Sequence, residues 1–133
     1  MKKLTLLAIT LTVAALAFSA CSLIAVGGGE EIIVTARETA NGMSFEPAVI
    51  TVEAGAEVTF VIKNAGTVDH EFESIEAGEA GIEEIIIPPG RSRRVSWTAP
   101  DEAGSFPVYC DLPGHRAAGM ELTLEVTPRD DAK

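Results

Sequence analysis

Histidine and cysteine are scarce in this chain. Among 133 residues there are two of each: His70 and His115, Cys21 and Cys110. If Cys21 is used elsewhere, no disulfide can form within the folded part, and Cys110 is a lone thiol that needs another reason to exist. Positive charge is also short, with 10 Lys and Arg against 20 Asp and Glu. A chain this acidic lacks the positive surface that non-specific nucleic-acid binding requires. Long apolar runs are missing except for Leu4 to Phe18, which is shorter than the roughly 20 residues of a comfortable membrane span. Helical periodicity is absent from every stretch of useful length, which argues against an α-helical fold. There are no internal repeats.

What is present begins with that apolar run. It follows the basic start Met1-Lys2-Lys3 and precedes Ser19-Ala20-Cys21. A basic head, an apolar middle and small residues before a cut site mark a secretory signal over residues 1–20. Leu16-Ala17-Phe18-Ser19-Ala20-Cys21 resembles the lipobox of bacterial lipoproteins, with Phe18 where Leu is usual. The resemblance implies that Cys21 becomes the lipidated N-terminus. The other reading is ordinary cleavage beside an incidental cysteine. On the first reading, residues 21–30, with Gly27-Gly28-Gly29, link a membrane anchor to the domain. The protein is then expected outside the cytoplasm, facing the periplasm or the cell exterior.

Residues 31–128 read as one domain and 129–133 as a flexible tail. Short segments of β-branched and alternating residues recur between turn signals. They are 31–35, 48–52, 57–63, 70–76, 84–87, 93–97, 104–109 and 121–126. About eight such segments predict an all-β, antiparallel Greek-key sandwich or barrel. Trp97, Phe60, Phe72 and Phe106 are its expected core. Arg91, Arg93 and Arg94 form the one basic cluster. It reads as a solvated edge that discourages strand pairing with other chains, or alternatively as a docking patch.

The segment Tyr109-Cys110-Asp111-Leu112-Pro113-Gly114-His115-Arg116-Ala117-Ala118-Gly119-Met120 gathers a thiol, an imidazole and a thioether at even spacing. Soft sulfur ligands and imidazole suit copper, and two histidines, one cysteine and a weak axial methionine form a blue-copper site. His70 is the only further histidine available. Zinc could use the imidazoles and thiolate, but a thioether suits it poorly. A core cysteine beside a surface histidine is the metal-free reading.

With these residues in view, the chain resembles the cupredoxins, the small blue copper proteins, over roughly Ile32 to Val126. Ser44–Gly55 is similar to the family's opening strands, Asn64–Phe72 to the segment with the first histidine, and Tyr109–Met120 to the ligand loop. The resemblance implies His70, Cys110 and His115 as equatorial ligands of one copper ion and Met120 as the axial ligand. The Cys-to-His spacing is wider than in plastocyanins and similar to rusticyanin-type loops. Lack of a second loop cysteine excludes a binuclear copper-A site, and two histidines are too few for a multidomain copper oxidase. Glu71 and Asp111 stand where Asn and a hydroxyl residue are frequent in the family, so they are candidates for tuning the metal. Arg116 is expected to turn to solvent. The implied function is electron transfer without catalysis, by a monomer serving a redox protein, such as a basic cytochrome or an oxidase. A copper chaperone or buffer would use the same four residues. A metal-free adhesive or scaffolding sandwich is the remaining reading.

Overall fold

The structure, a computed structural model, describes residues 29–75 and 81–130. The expected signal segment, Cys21, Glu76 at the end of one expected strand, and residues 131–133 lie outside the described residues. Within them the chain forms nine strands. These are β1 (Glu30–Thr39), β2 (Gly42–Glu46), β3 (Val49–Glu53), β4 (Glu57–Asn64), β5 (His70–Ser74), β6 (Ile82–Ile87), β7 (Ser92–Thr98), β8 (Gly104–Tyr109) and β9 (Glu121–Thr127). One 3-10 turn, Arg116–Ala118, is described between β8 and β9. No described helix is long and apolar enough to cross a membrane.

The strands pack as two sheets, one ordered β2-β1-β4-β7 and the other β3-β9-β8-β5-β6. Period-2 alternation builds the space between them. Val58, Phe60 and Ile62 of β4 are buried, as are Leu122, Leu124 and Val126 of β9 and Ile50 and Val52 of β3. Phe72 anchors the middle. Its ring meets Phe45 edge-on at 5.5 Å and Phe60 at 5.6 Å, and Phe60 continues to Trp97 at 5.9 Å. Such pairs add roughly 0.5–1.5 kcal/mol each beyond simple burial. Three of the four expected core aromatics are thus central, while Phe106 packs half-buried against their edge.

Two features differ from the sequence expectation. The sheets are mixed: β1 runs parallel to β4, and β3 parallel to β9. Alternation along one strand reports which face is buried, not which neighbour it meets, so direction was not legible. The ninth strand is β2, which pairs with β1 from Thr35↔Glu46 to Thr39↔Gly42. Its five residues include Gly, Met and Ser and show only one fully buried position. The basic cluster lies at β7, an edge of its sheet. Arg91, Arg93 and Arg94 are all exposed there, and Arg94 pairs with Glu31 across the sheet surface.

β5 carries the least clean alternation in the sequence, and the structure explains it: all five residues are buried. His70, Phe72 and Ser74 face inward. Glu71 and Glu73 occupy the opposite face and are also covered. Burial raises both carboxyls above their ordinary range, and neighbouring acids, Glu84 for Glu71 and Asp111 for Glu73, push the same way.

Candidate metal centre

β8 and β9 are antiparallel neighbours, with Tyr109 opposite Glu121 as the last paired position. Cys110 and Met120 therefore stand at the two roots of the connecting loop. The Cys110 N–H donates to the Met120 carbonyl at 3.2 Å. The loop then closes on itself. His115 N–H donates to Leu112 O, Ala118 N–H to Gly114 O, and Met120 N–H to His115 O, all at 3.0–3.1 Å. Gly119 ends the 3-10 turn with φ 97°, a left-handed conformation that glycine adopts without steric cost. The even sequence spacing thus becomes one compact turn that aims a sulfur and an imidazole back at the sheet ends.

β5 lies beside β8, with Glu73 opposite Tyr109. This brings His70, the first residue of β5, to the same end of the sandwich. His70 Nδ1 lies 3.4 Å from His115 Nδ1, and Cys110 Sγ lies 3.3 Å from His115 Nδ1. All three donor atoms fall within 4.8 Å of one another. Two nitrogen ligands about 2.0 Å from one ion, at angles between tetrahedral and trigonal, stand about 3.3–3.5 Å apart. The spacing therefore fits three donors converging on one small ion. His70, Cys110 and Met120 are fully buried, whereas His115 is half-buried at the surface. Met120 belongs to the core cluster, and its backbone is bonded to both Cys110 and His115.

The electrostatics suit a metal. Burial lowers the pKa of His70, opposed by the charge of Glu38, which favours the neutral imidazole that coordinates. Burial raises the Cys110 thiol, while the Glu71 N–H, 3.2 Å from Sγ, works in the other direction. A bound cation favours the thiolate. Thiolate, two imidazoles and a nearby thioether form a soft, mixed donor set that fits copper.

Two supporting residues, Asn64 and Glu38, went unseen in the sequence. Asn64 is buried at the end of β4. Its Nδ2 donates to Val68 O and Ile87 O, both at 2.7 Å, and its Oδ1 accepts from Gly66 N–H at 2.8 Å. It thereby ties the loop before His70 to the residue paired with His70 on β6. Glu38 holds the same loop from outside. Glu71, a candidate for tuning the metal in the sequence, meets the sulfur through its backbone N–H rather than its side chain. Arg116 is exposed at the surface, where it also finds partners. Its guanidinium lies 3.8 Å from the centre of the Tyr109 ring and pairs with Glu121 at 2.8 Å. The ring face and the carboxylate together offer the cation more than open water does.

The comparisons with known proteins agree with this geometry. The Cupredoxin-like domain family matches residues 5–123. The chain is 35% identical to the copper-resistant cuproprotein CopI of Rubrivivax gelatinosus over 94 residues, covering 59% of this chain and 56% of that protein. It thus spans little more than half the length of that relative. It is 31% identical to the plastocyanin of Prochlorothrix hollandica over 86 residues, covering 62% of each. Auracyanin from the photosynthetic bacterium Roseiflexus castenholzii shares the fold with a TM-score of 0.62 at 23% identity, over 77% of this chain and all of that one. Family and donor group together support one copper ion as the cofactor. On the matched residues and on the His-Cys-His group at the end of its sandwich, this chain belongs to the cupredoxin family.

Proposed function

We propose that the protein is an electron carrier whose type 1 copper ion is held by His70, Cys110 and His115, with Met120 as the axial ligand. The observation that carries this reading is the mounting of the donors. Three are sealed among core residues and one, His115, reaches the surface. Copper, when bound, supplies the one-electron redox change. The chain holds the donors in one arrangement, so little has to move when the charge changes. β5 fixes His70, the end of the β8–β9 ladder fixes Cys110 and Met120, and the 3-10 turn presents His115. Core packing keeps water from the sulfur. Four donors leave no position for a substrate, so the protein carries electrons and does not catalyse. Electrons pass through the exposed edge of His115, where Pro113, Gly114 and Ala117 form a small uncharged surface. A redox protein with a basic face, a cytochrome or an oxidase, suits the acidic chain. Cys21 tethers the carrier outside the cytoplasm through its lipids.

The test is spectroscopic and electrochemical. The Cu(II)-loaded protein shows an intense visible thiolate-to-copper band, absent in Cys110→Ser, and gives fast reversible voltammetry. A colourless Cu(II) form refutes the site. A second reading, copper handling, is favoured by the similarity to a protein named for copper resistance. It predicts instead that copper passes readily to a weak chelator and that voltammetry is slow.

A further inference from the structure

Metal-bound imidazoles are usually aimed by a hydrogen bond at the ring nitrogen away from the metal. Among the described residues His70 has none: its Nε2 is buried without a partner there. The ring direction must then come from packing and from the backbone that delivers His70 to β5. That backbone is the loop Asn64–Asp69. Its carbonyl at Val68 is held from inside by Asn64. Its amides are held from outside by a carboxylate of β1, 32 positions before His70 in the sequence.

The Glu38 carboxylate sits in a small nest of backbone donors. Thr67 N–H donates to Oε1 and Oε2, each at 3.0 Å, and Val68 N–H donates to Oε1 at 3.0 Å. The Thr67 hydroxyl lies 3.4 Å from Oε1. Consecutive amides around an oxyanion form a strong and directional hold, because charge assistance roughly doubles each bond. Backbone N–H groups of Glu38 itself and of Thr67 keep this carboxyl below the ordinary range, so it is ionised at neutral pH. Gly66 makes the approach possible, since a Cβ there would overlap the carboxylate. Asn64 and Glu38 thus grip opposite sides of one short loop, two residues from the ligand.

We infer that Glu38 is a positioning residue for His70: its carboxylate fixes the Thr67–Val68 backbone and through it the direction of the imidazole. The inference rests on His70 being a copper ligand. Glu38 hydrogen-bonds the loop, its charge reaches His70 through space, and Gly66→Ala keeps that charge while disturbing the grip.

The experiment uses the full chain, with Cu(II) as the metal probe and two variants that remove the grip differently. Glu38→Ala deletes the carboxylate. Gly66→Ala leaves Glu38 intact and displaces it. In the copper-free protein, amide exchange at Thr67 and Val68 should quicken about tenfold in both variants, with exchange across Cys110–Met120 unchanged. With Cu(II) bound, the visible band should shift or broaden, and copper loss to a chelator should quicken about tenfold. The double variant should do no more than either single one, because both remove one interaction. Unchanged exchange at Thr67 and Val68, or quickened exchange with an unaltered band and release rate, overturns the inference. If the wild type bound no Cu(II), the copper reading would fail by itself. The inference would then be judged on the His70 ring signals of the copper-free protein. A displaced ring environment in both variants upholds it, and an unmoved one overturns it.

Discussion

The two loops that carry the candidate ligands are held by opposite means. The Cys110–Met120 loop is closed mainly by its own backbone: Cys110, His115, Ala118, Gly119 and Met120 N–H groups all donate to carbonyls of the same loop. The Asn64–Asp69 loop makes few such bonds. Side chains and backbone from β1, β4 and β6 hold it, through Glu38, Asn64, Ala36 and Ile87. A self-closed loop is specified locally, by short spacing and by glycine at the right place. A gripped loop is specified by the whole sheet, so its integrity depends on residues far away in sequence. The two kinds should fail differently when perturbed.

The largest effect is expected at Asn64. Asn64→Leu keeps the volume but leaves the carbonyls of Val68 and Ile87 and the Gly66 N–H without their partner. The Ile87 carbonyl bond is buried and the other two are partly buried; an orphaned buried group costs about 1–3 kcal/mol, so a loss of about 3 kcal/mol is expected in urea unfolding. Exchange should rise in the Asn64–Asp69 loop and stay low in the other. A loss under about 1 kcal/mol would mean that the two loops are held alike. Next comes Gly119→Ala, which forces a Cβ into the left-handed region and toward the Met43 carbonyl. It should cost about 1–2 kcal/mol. Its spectroscopic mark should be on the sulfur-to-copper band, because Cys110, His115 and Met120 share that loop, with Thr67 and Val68 exchange unaffected.

The smallest effect concerns the strand between the loops. Glu73 has its folded pKa raised, mainly by burial, so its ionised form opposes folding at neutral pH. The penalty is present above the raised value and is relieved as pH falls through it. Glu73→Gln should therefore raise stability at pH 7 by about 1 kcal/mol and flatten the gain that the wild type shows on mild acidification. Glu38 has the opposite sign. Its depressed pKa stabilises the fold at neutral pH, and that contribution is lost only as pH falls through its lowered folded value, below the ordinary carboxylate range. Unfolding midpoints at a series of pH values separate the two. A Glu73→Gln protein with an unchanged pH profile would show that β5 tolerates its buried charges freely.

The same contrast explains what was legible in the sequence. Cys110, His115 and Met120 stood out because the loop that unites them is local. The all-β class was legible because alternation in β4 and β9 maps directly onto burial. His70 was reached only by scarcity and family resemblance, since nothing near it in the chain says what it faces. Asn64 and Glu38 were invisible as supports: an Asn after a strand and a Glu on an acidic chain look like any others until β1 and β4 lie side by side. Strand direction was hidden for the same reason, and β2 because its few residues show little alternation. The partners of Arg116 were hidden because Tyr109 and Glu121, which receive it, belong to two strands that only the fold brings together.

The direct bond between Cys110 and Met120 at the foot of their hairpin has one more consequence. The sulfur-bearing ends are locked to the last rung of the sheet, while Pro113 to Ala117 hang beyond it. Lengthening or shortening the tip would change how far the His115 imidazole projects without loosening the anchors. Evolution could therefore adjust the exposed rim of the centre as a replaceable part, leaving the sandwich beneath it untouched.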